Sequence, residues 1–178
     1  MVFKETPLKG SFEIEPEKRE DERGFFFRSW CAQEMSSKGL KTNIKQINSS
    51  YSLHKGTLRG LTYQKNPFPE TKLIRCIKGS IFDVIIDLRE DSPTLHQWFG
   101  TVLSAENSKM LYIPENFAHG FITLEDKTEI NYFVTEFYHP EVESGIRWND
   151  PYFGIQWPIE PTIMSEKDEN KPLFKVQS

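Results

Sequence analysis

KLIRCIKGSIFDVIIDLRE, residues 72–90, decides the fold class of this chain. It holds two runs rich in β-branched residues, KLIRCI and SIFDVIIDL, separated at Lys78-Gly79. Such runs bounded by a glycine turn predict strands, and the spacing reads as a hairpin. In the second run Phe82, Val84, Ile86 and Leu88 share one face, while Asp83 and Asp87 share the other.

Outward from this stretch the pattern repeats. WFGTVLS, KMLYIPE, HGFITLE and EINYFVTEFY follow at short intervals with turn residues between them. Short strands at this spacing predict an all-β sandwich or barrel. Towards the N-terminus, residues 9–30 read as two short strands joined by a charged turn, and residues 31–42 as a short helix ending near Gly39. Towards the C-terminus, SGIRWNDPYFGIQWPIEP is rich in Pro, Gly and Trp and reads as an ordered loop over the barrel. SEKDENKPLF reads as a polar, partly helical tail. Neither repeats nor linkers interrupt the 178 residues, so one domain over 1–178 is expected.

Composition narrows the function. The formal net charge of −4 and pI near 5.6 argue against nucleic acid as the main partner, which needs a basic surface. The charged start lacks the apolar run of a signal sequence, and no stretch has the length of a membrane span. Cys31 and Cys76 form no CxxC motif, so a reducing cytoplasmic setting is expected. The four histidines form no HxH or HxxxH pair, so no metal site is expected. GxSxG, GxGxxG and the P-loop are absent.

Taken singly, the polar residues of the strands say little. His119 in PENFAHGF reads as a half-buried turn histidine. Arg59 and Lys72 read as solvated charges, although a guanidinium fork beside Gly60 would suit a diphosphate. Tyr132 alternates with Ile130 and Val134, as a core residue would, and Asp168 lies in a polar tail.

Together, four blocks carry more. QINSSYSLHKGTLRGLTYQ, KLIRCIKGSIFDVIIDLREDSPT, LSAENSKMLYIPENFAHGF and GIRWNDPYFGIQWP run in this order. The chain resembles the dTDP-4-dehydrorhamnose 3,5-epimerase family over about residues 3–174, most specifically at FAHGF and IRWNDP. The resemblance implies a double-stranded β-helix, or jelly-roll barrel (cupin-like), with a few short peripheral helices. It implies a homodimer that exchanges N-terminal segments and uses no metal or organic cofactor. The implied substrate is a nucleotide-diphosphate 4-keto-6-deoxy sugar, epimerised by removal and return of a proton beside the ketone. That chemistry needs a base within reach of a weakly acidic C–H, a donor for the enolate oxygen and an acid on the opposite face.

By position, the resemblance implies that Lys72 stabilises the enolate, Tyr132 is the acid, Asp168 orients the base, and His119 is a pocket histidine. It implies that Arg59, Gln46, Asn48 and Arg23 grip nucleotide and diphosphate, with Arg23 lent to the neighbouring subunit.

Three positions depart from the family pattern. RGLHYQ is here RGLTYQ, so Thr62 stands where the catalytic histidine is expected, and Asp168 lacks the imidazole it would orient. A threonine hydroxyl has no useful basicity near neutral pH. Arg28 stands where the RGFFxE pattern has an acid, near the expected nucleotide site, and Phe133 follows the tyrosine where a lysine is usual. Three changes in one pocket suggest a redirected function. The expected function is epimerisation with altered base usage, inverting a single carbon if one centre is lost. The alternatives are a binding homologue that has lost its base, or an enzyme of isomerisation or elimination on a similar keto-sugar.

Overall fold

The computed structural model describes residues 1–175, with Val176, Gln177 and Ser178 outside the described residues. Its strands are β1 (Val2–Glu5), β2 (Phe12–Glu15), β3 (Arg19–Asp21), β4 (Gly24–Phe26), β5 (Gln46–Ser52), β6 (Leu58–Gln64), β7 (Lys72–Lys78), β8 (Ser80–Asp87), β9 (Trp98–Ser104), β10 (Met110–Ile113), β11 (Phe117–Thr123), β12 (Thr128–Val134) and β13 (Glu143–Gly145). Two short helices, α1 (Ala32–Ser37) and α2 (Glu166–Glu169), and a 3-10 turn at Pro140–Val142 lie at the periphery.

Two antiparallel sheets face each other. One has the order β1-β2-β10-β7-β12-β5, and the other β13-β6-β11-β8-β9. This is the expected jelly-roll barrel. The predicted strands from 72 to 134 all form, but β7 and β8 are not a hairpin. β7 pairs with β10 and β12, whereas β8 pairs with β9 and β11. Gly79, at φ 73°, carries the chain from one sheet to the other. A glycine turn thus appears as predicted, but strands with two buried faces can each find partners elsewhere. The N-terminal reading also changes. β2 joins the large sheet, and β3 and β4 form a separate two-stranded ribbon.

Alternation divides the side chains among three clusters. Ile74, Cys76, Ile81, Ile85, Leu103, Leu111, Phe121 and Ile130 fill the space between the sheets, and Tyr132 packs against them. Each fully buried aliphatic side chain contributes about 1.5–3 kcal/mol. The outer face of the five-stranded sheet, with Leu61, Val84 and Ile86, lies under Ile146, Phe153, Trp157 and Phe174. The Pro- and Trp-rich segment therefore covers the barrel as expected. The outer face of the six-stranded sheet packs Leu73, Met110 and Tyr112 against Met35 of α1 and Trp30. The α1 helix ends as predicted, with Gly39 in the left-handed region at φ 72°.

Candidate active site

The site grows from one irregularity. Thr62 of β6 is paired with His119 of β11, and Arg59 with Phe121. Three residues of β6 thus span two of β11, which is a bulge. In a regular strand Arg59 and Thr62 would face opposite sides. The extra residue turns both towards the barrel interior, the side that Phe121 fills. Gly60 makes this possible at φ 107°. A Cβ there would lie 2.6 Å from both Gly120 Cα and the His119 carbonyl oxygen. The RG of RGLTYQ is therefore a backbone requirement.

On the β11 side, His119 Nε2 lies 2.7 Å from Asp83 Oδ1. Asp83 is fully buried and His119 nearly so, with no protein partner for Asp83 Oδ2 among the described residues. His119 thus sits mid-strand in a buried pair, not in a half-buried turn. Across the barrel, Lys72 Nζ lies 3.0 Å from a Glu70 carboxylate oxygen, with both side chains mostly covered. Tyr132, beside Asn48 of β5 and Ile74 of β7, faces the same interior. Burial pushes its phenol above the ordinary value, the charge of Glu70 adds to this, and Arg59 opposes it. Tyr132 therefore keeps its proton and lies within electrostatic reach of both groups.

Arg59 is anchored to β5. Its Nε donates to Ser52 Oγ at 3.2 Å and its Nη2 to the Tyr51 carbonyl at 3.1 Å. Gln46 points inward with Asn48, and its Oε1 accepts from the Tyr138 backbone N–H at 2.8 Å.

The remaining wall is the one that the sequence left empty. Asp168 is not a solvated tail residue: its side chain is 14% exposed, and it is ion-paired with Lys171. The Lys171 side chain is 6% exposed, and its Nζ donates to Thr62 Oγ1 at 2.8 Å. Its stem crosses Gly145, which pairs with Thr62, and a Cβ on Gly145 would lie 2.5 Å from Lys171 Cε. Asp168 therefore has a partner after all, a lysine in place of an imidazole. Lys171 and Glu70 escaped the sequence reading, although both left traces. Glu70 and Lys72 alternate onto one strand face, and Asp168 and Lys171 have the i,i+3 spacing of a helical pair.

Two departures do not belong to this wall. Phe133 alternates with Tyr132 and packs outside the barrel, where Trp30 stacks on it at 6.4 Å between ring centroids. Arg28 pairs with Glu34 of α1 at 2.8 Å, and α1 covers that same outer face. Within one chain the three changes thus do not share a pocket. Arg23 is likewise apart, 85% exposed at the β3–β4 turn and tied to Asp21 at 2.6 Å. A depression of about 1010 Å³ around Arg89, His96, Tyr63 and Phe174 includes none of the residues of the interior site.

The comparisons agree with this architecture. The model of the family described as dTDP-4-dehydrorhamnose 3,5-epimerase matches residues 5–176. A dTDP-4-dehydrorhamnose 3,5-epimerase of Methanothermobacter thermautotrophicus is 48% identical over 96% of this chain and 94% of its own. The crystal structure of the Bacillus anthracis enzyme with TDP and PPi bound is 44% identical, with a TM-score of 0.93 over 97% of this chain and 100% of that one. The Legionella pneumophila epimerase in complex with dTDP-4-keto-L-rhamnose is 40% identical, with a TM-score of 0.91 over 97% of this chain and 92% of that one. A barrel of this topology, a match along nearly its whole length and identities of this size place the chain in the dTDP-4-dehydrorhamnose 3,5-epimerase family.

Proposed function

We propose that this chain epimerises a nucleotide-diphosphate 4-keto-6-deoxy sugar, with dTDP as the nucleotide carrier. The observation that carries the reading is the barrel interior at Tyr132, Lys72 and Arg59, where a protonated phenol and a cation on one sheet face a guanidinium from the other. The relatives' names and the ligands of their structures support the substrate class.

In this reading Arg59, Gln46 and Asn48 hold the nucleotide and diphosphate near the mouth of the barrel. Lys72 stabilises the enolate oxygen that forms when the proton leaves. Tyr132 returns a proton from the opposite face, a task suited to a phenol that burial keeps protonated. His119, held by Asp83, lines the sugar pocket. Thr62 supplies no base, so removal of the proton at one carbon or both passes to another group.

The chain acts as one epimerase domain over residues 1–178, in a homodimer that exchanges its N-terminal ribbons. Support for the exchange lies in β3–β4, which pairs with neither large sheet and leaves Phe25 and Phe26 55% and 69% exposed. Exchange would carry Arg23 to the partner's nucleotide. A cytoplasmic setting suits the unpaired thiols of Cys31 and Cys76. Among the described residues no helix is long and apolar enough to cross a membrane.

The test is incubation with several nucleotide 4-keto-6-deoxy sugars in D₂O, followed by proton NMR. Loss of the signal at a carbon beside the ketone, with inversion there, is the expected result. A folded protein that binds these sugars and exchanges none of their protons refutes the reading.

A further inference from the structure

We infer that Lys171 is the base that replaces the imidazole at the Thr62 position. This inference rests on the epimerase reading above. Its ground is a built site. An almost fully covered lysine is threaded over Gly145, on the side chain-free face of a residue paired with Thr62. Its nitrogen is held by two acceptors from distant parts of the chain, Thr62 Oγ1 and Asp168 Oδ1. A lysine that served only solubility would not be buried here, since burying an ammonium needs such partners.

Thr62 is short, and the Lys171 tip takes up the space beside its hydroxyl. Asp168 thus does for an ammonium what it would do for an imidazolium: it holds the group and balances the charge gained with the proton. The charged groups around Lys171 are few. Asp168 and Lys167 come from its own segment, and Glu143 of β13 feels its charge while pairing with Lys167.

Lys171 first gives a proton to solvent and becomes an amine. Its lone pair then takes the proton from the carbon beside the ketone. The C–H electrons form a carbon–carbon double bond, and the carbonyl π electrons move to the oxygen facing Lys72. The carbonyl re-forms as Tyr132 gives its hydroxyl proton to the other face of the same carbon. The phenolate then takes up from solvent the proton that Lys171 gave away, the new ammonium is already the starting state, and nothing is oxidised or reduced.

Two variants test this with a 4-keto-6-deoxy sugar nucleotide in D₂O. Lys171→Arg keeps the cation between Thr62 and Asp168 but gives up no proton near neutral pH. It is expected to lose at least ~100-fold in deuterium uptake while binding the sugar nucleotide and melting much as the parent does. Lys171→Ala is expected to lose uptake and to regain it in proportion to added methylamine. A Lys171→Arg protein whose exchange stays within about threefold of the parent overturns the inference. So does loss in both variants without any response to the amine, which would mark a structural role. If Lys171→Ala does not fold, the Arg variant decides alone. A parent protein that binds but exchanges nothing fails the epimerase reading instead, so the two failures are distinct.

Discussion

The two walls of the barrel interior are built in different ways. One is made by strands alone: Lys72 and Tyr132 stand on β7 and β12, and His119 with its partner Asp83 faces them from β11 and β8 of the other sheet. Sheet register fixes these side chains, so they stay in place whatever the flanking segments do. The other wall is a join. Thr62 on β6 meets Lys171 from the C-terminal segment, 109 residues away, and Asp168 lies beside that lysine. A wall set by register is hard to alter without disturbing the core. A wall assembled from a distant segment can change its chemistry by substitution of a few residues, while the barrel stays as it is. The departure from RGLHYQ falls on the second wall.

Breaking the strand-built wall should cost the most. His119→Ala would strand Asp83, whose second oxygen already lacks a protein partner among the described residues. We expect a loss of about 3–5 kcal/mol in urea unfolding. Lys72→Met would remove the cation assigned to the enolate and leave Glu70 unpaired. Steady-state assays should show kcat lower by about 10²–10³, the usual cost of one preorganised donor, with smaller change in KM. Gly60→Ala tests the bulge that points Arg59 and Thr62 inward. The new methyl would meet Gly120 and the His119 carbonyl at a positive φ, and about 2–4 kcal/mol of stability should be lost.

The smallest effect should fall where neither wall is touched. Burial pushes the Asp87 carboxyl up, but hydrogen bonds from Arg89, Ser92 and Thr94 outweigh this and hold it below the ordinary carboxylate value. A depressed carboxylate stabilises the fold above its unfolded pKa, and this contribution is lost as pH falls through the folded value. Ser92→Ala should therefore cost about 1–2 kcal/mol at pH 7, with the gap to the parent closing below about pH 4. Melting curves across that range measure it, and activity should be little altered.

Much of this contrast could be read in the sequence, and the unread part has a physical reason. Alternation located β7 to β12 and the inward set of Lys72, Ile74 and Cys76, because each strand carries its own two-residue period. The same alternation could have put Phe133 outside, opposite Tyr132. What it could not supply was pairing. Lys78-Gly79 signals a turn, but whether the turn closes a hairpin or passes to the facing sheet depends on strands far along the chain. Thr62 and Lys171 pose the same difficulty. Nothing near either residue announces the other: the i,i+3 spacing of Asp168 and Lys171 fits their pairing, but does not say that the pair closes over Gly145 onto Thr62.

The division of labour between the walls is tested most directly by Tyr132→Phe with a 4-keto-6-deoxy sugar nucleotide in D₂O, with exchange and inversion measured on the same sample. The base on the Lys171 wall should still take the proton and return a deuteron to the same face. The expected result is deuterium at the carbon beside the ketone without inversion. Inversion at the parent's rate in the phenylalanine variant would contradict the account, because the opposite face would then have a proton donor other than Tyr132.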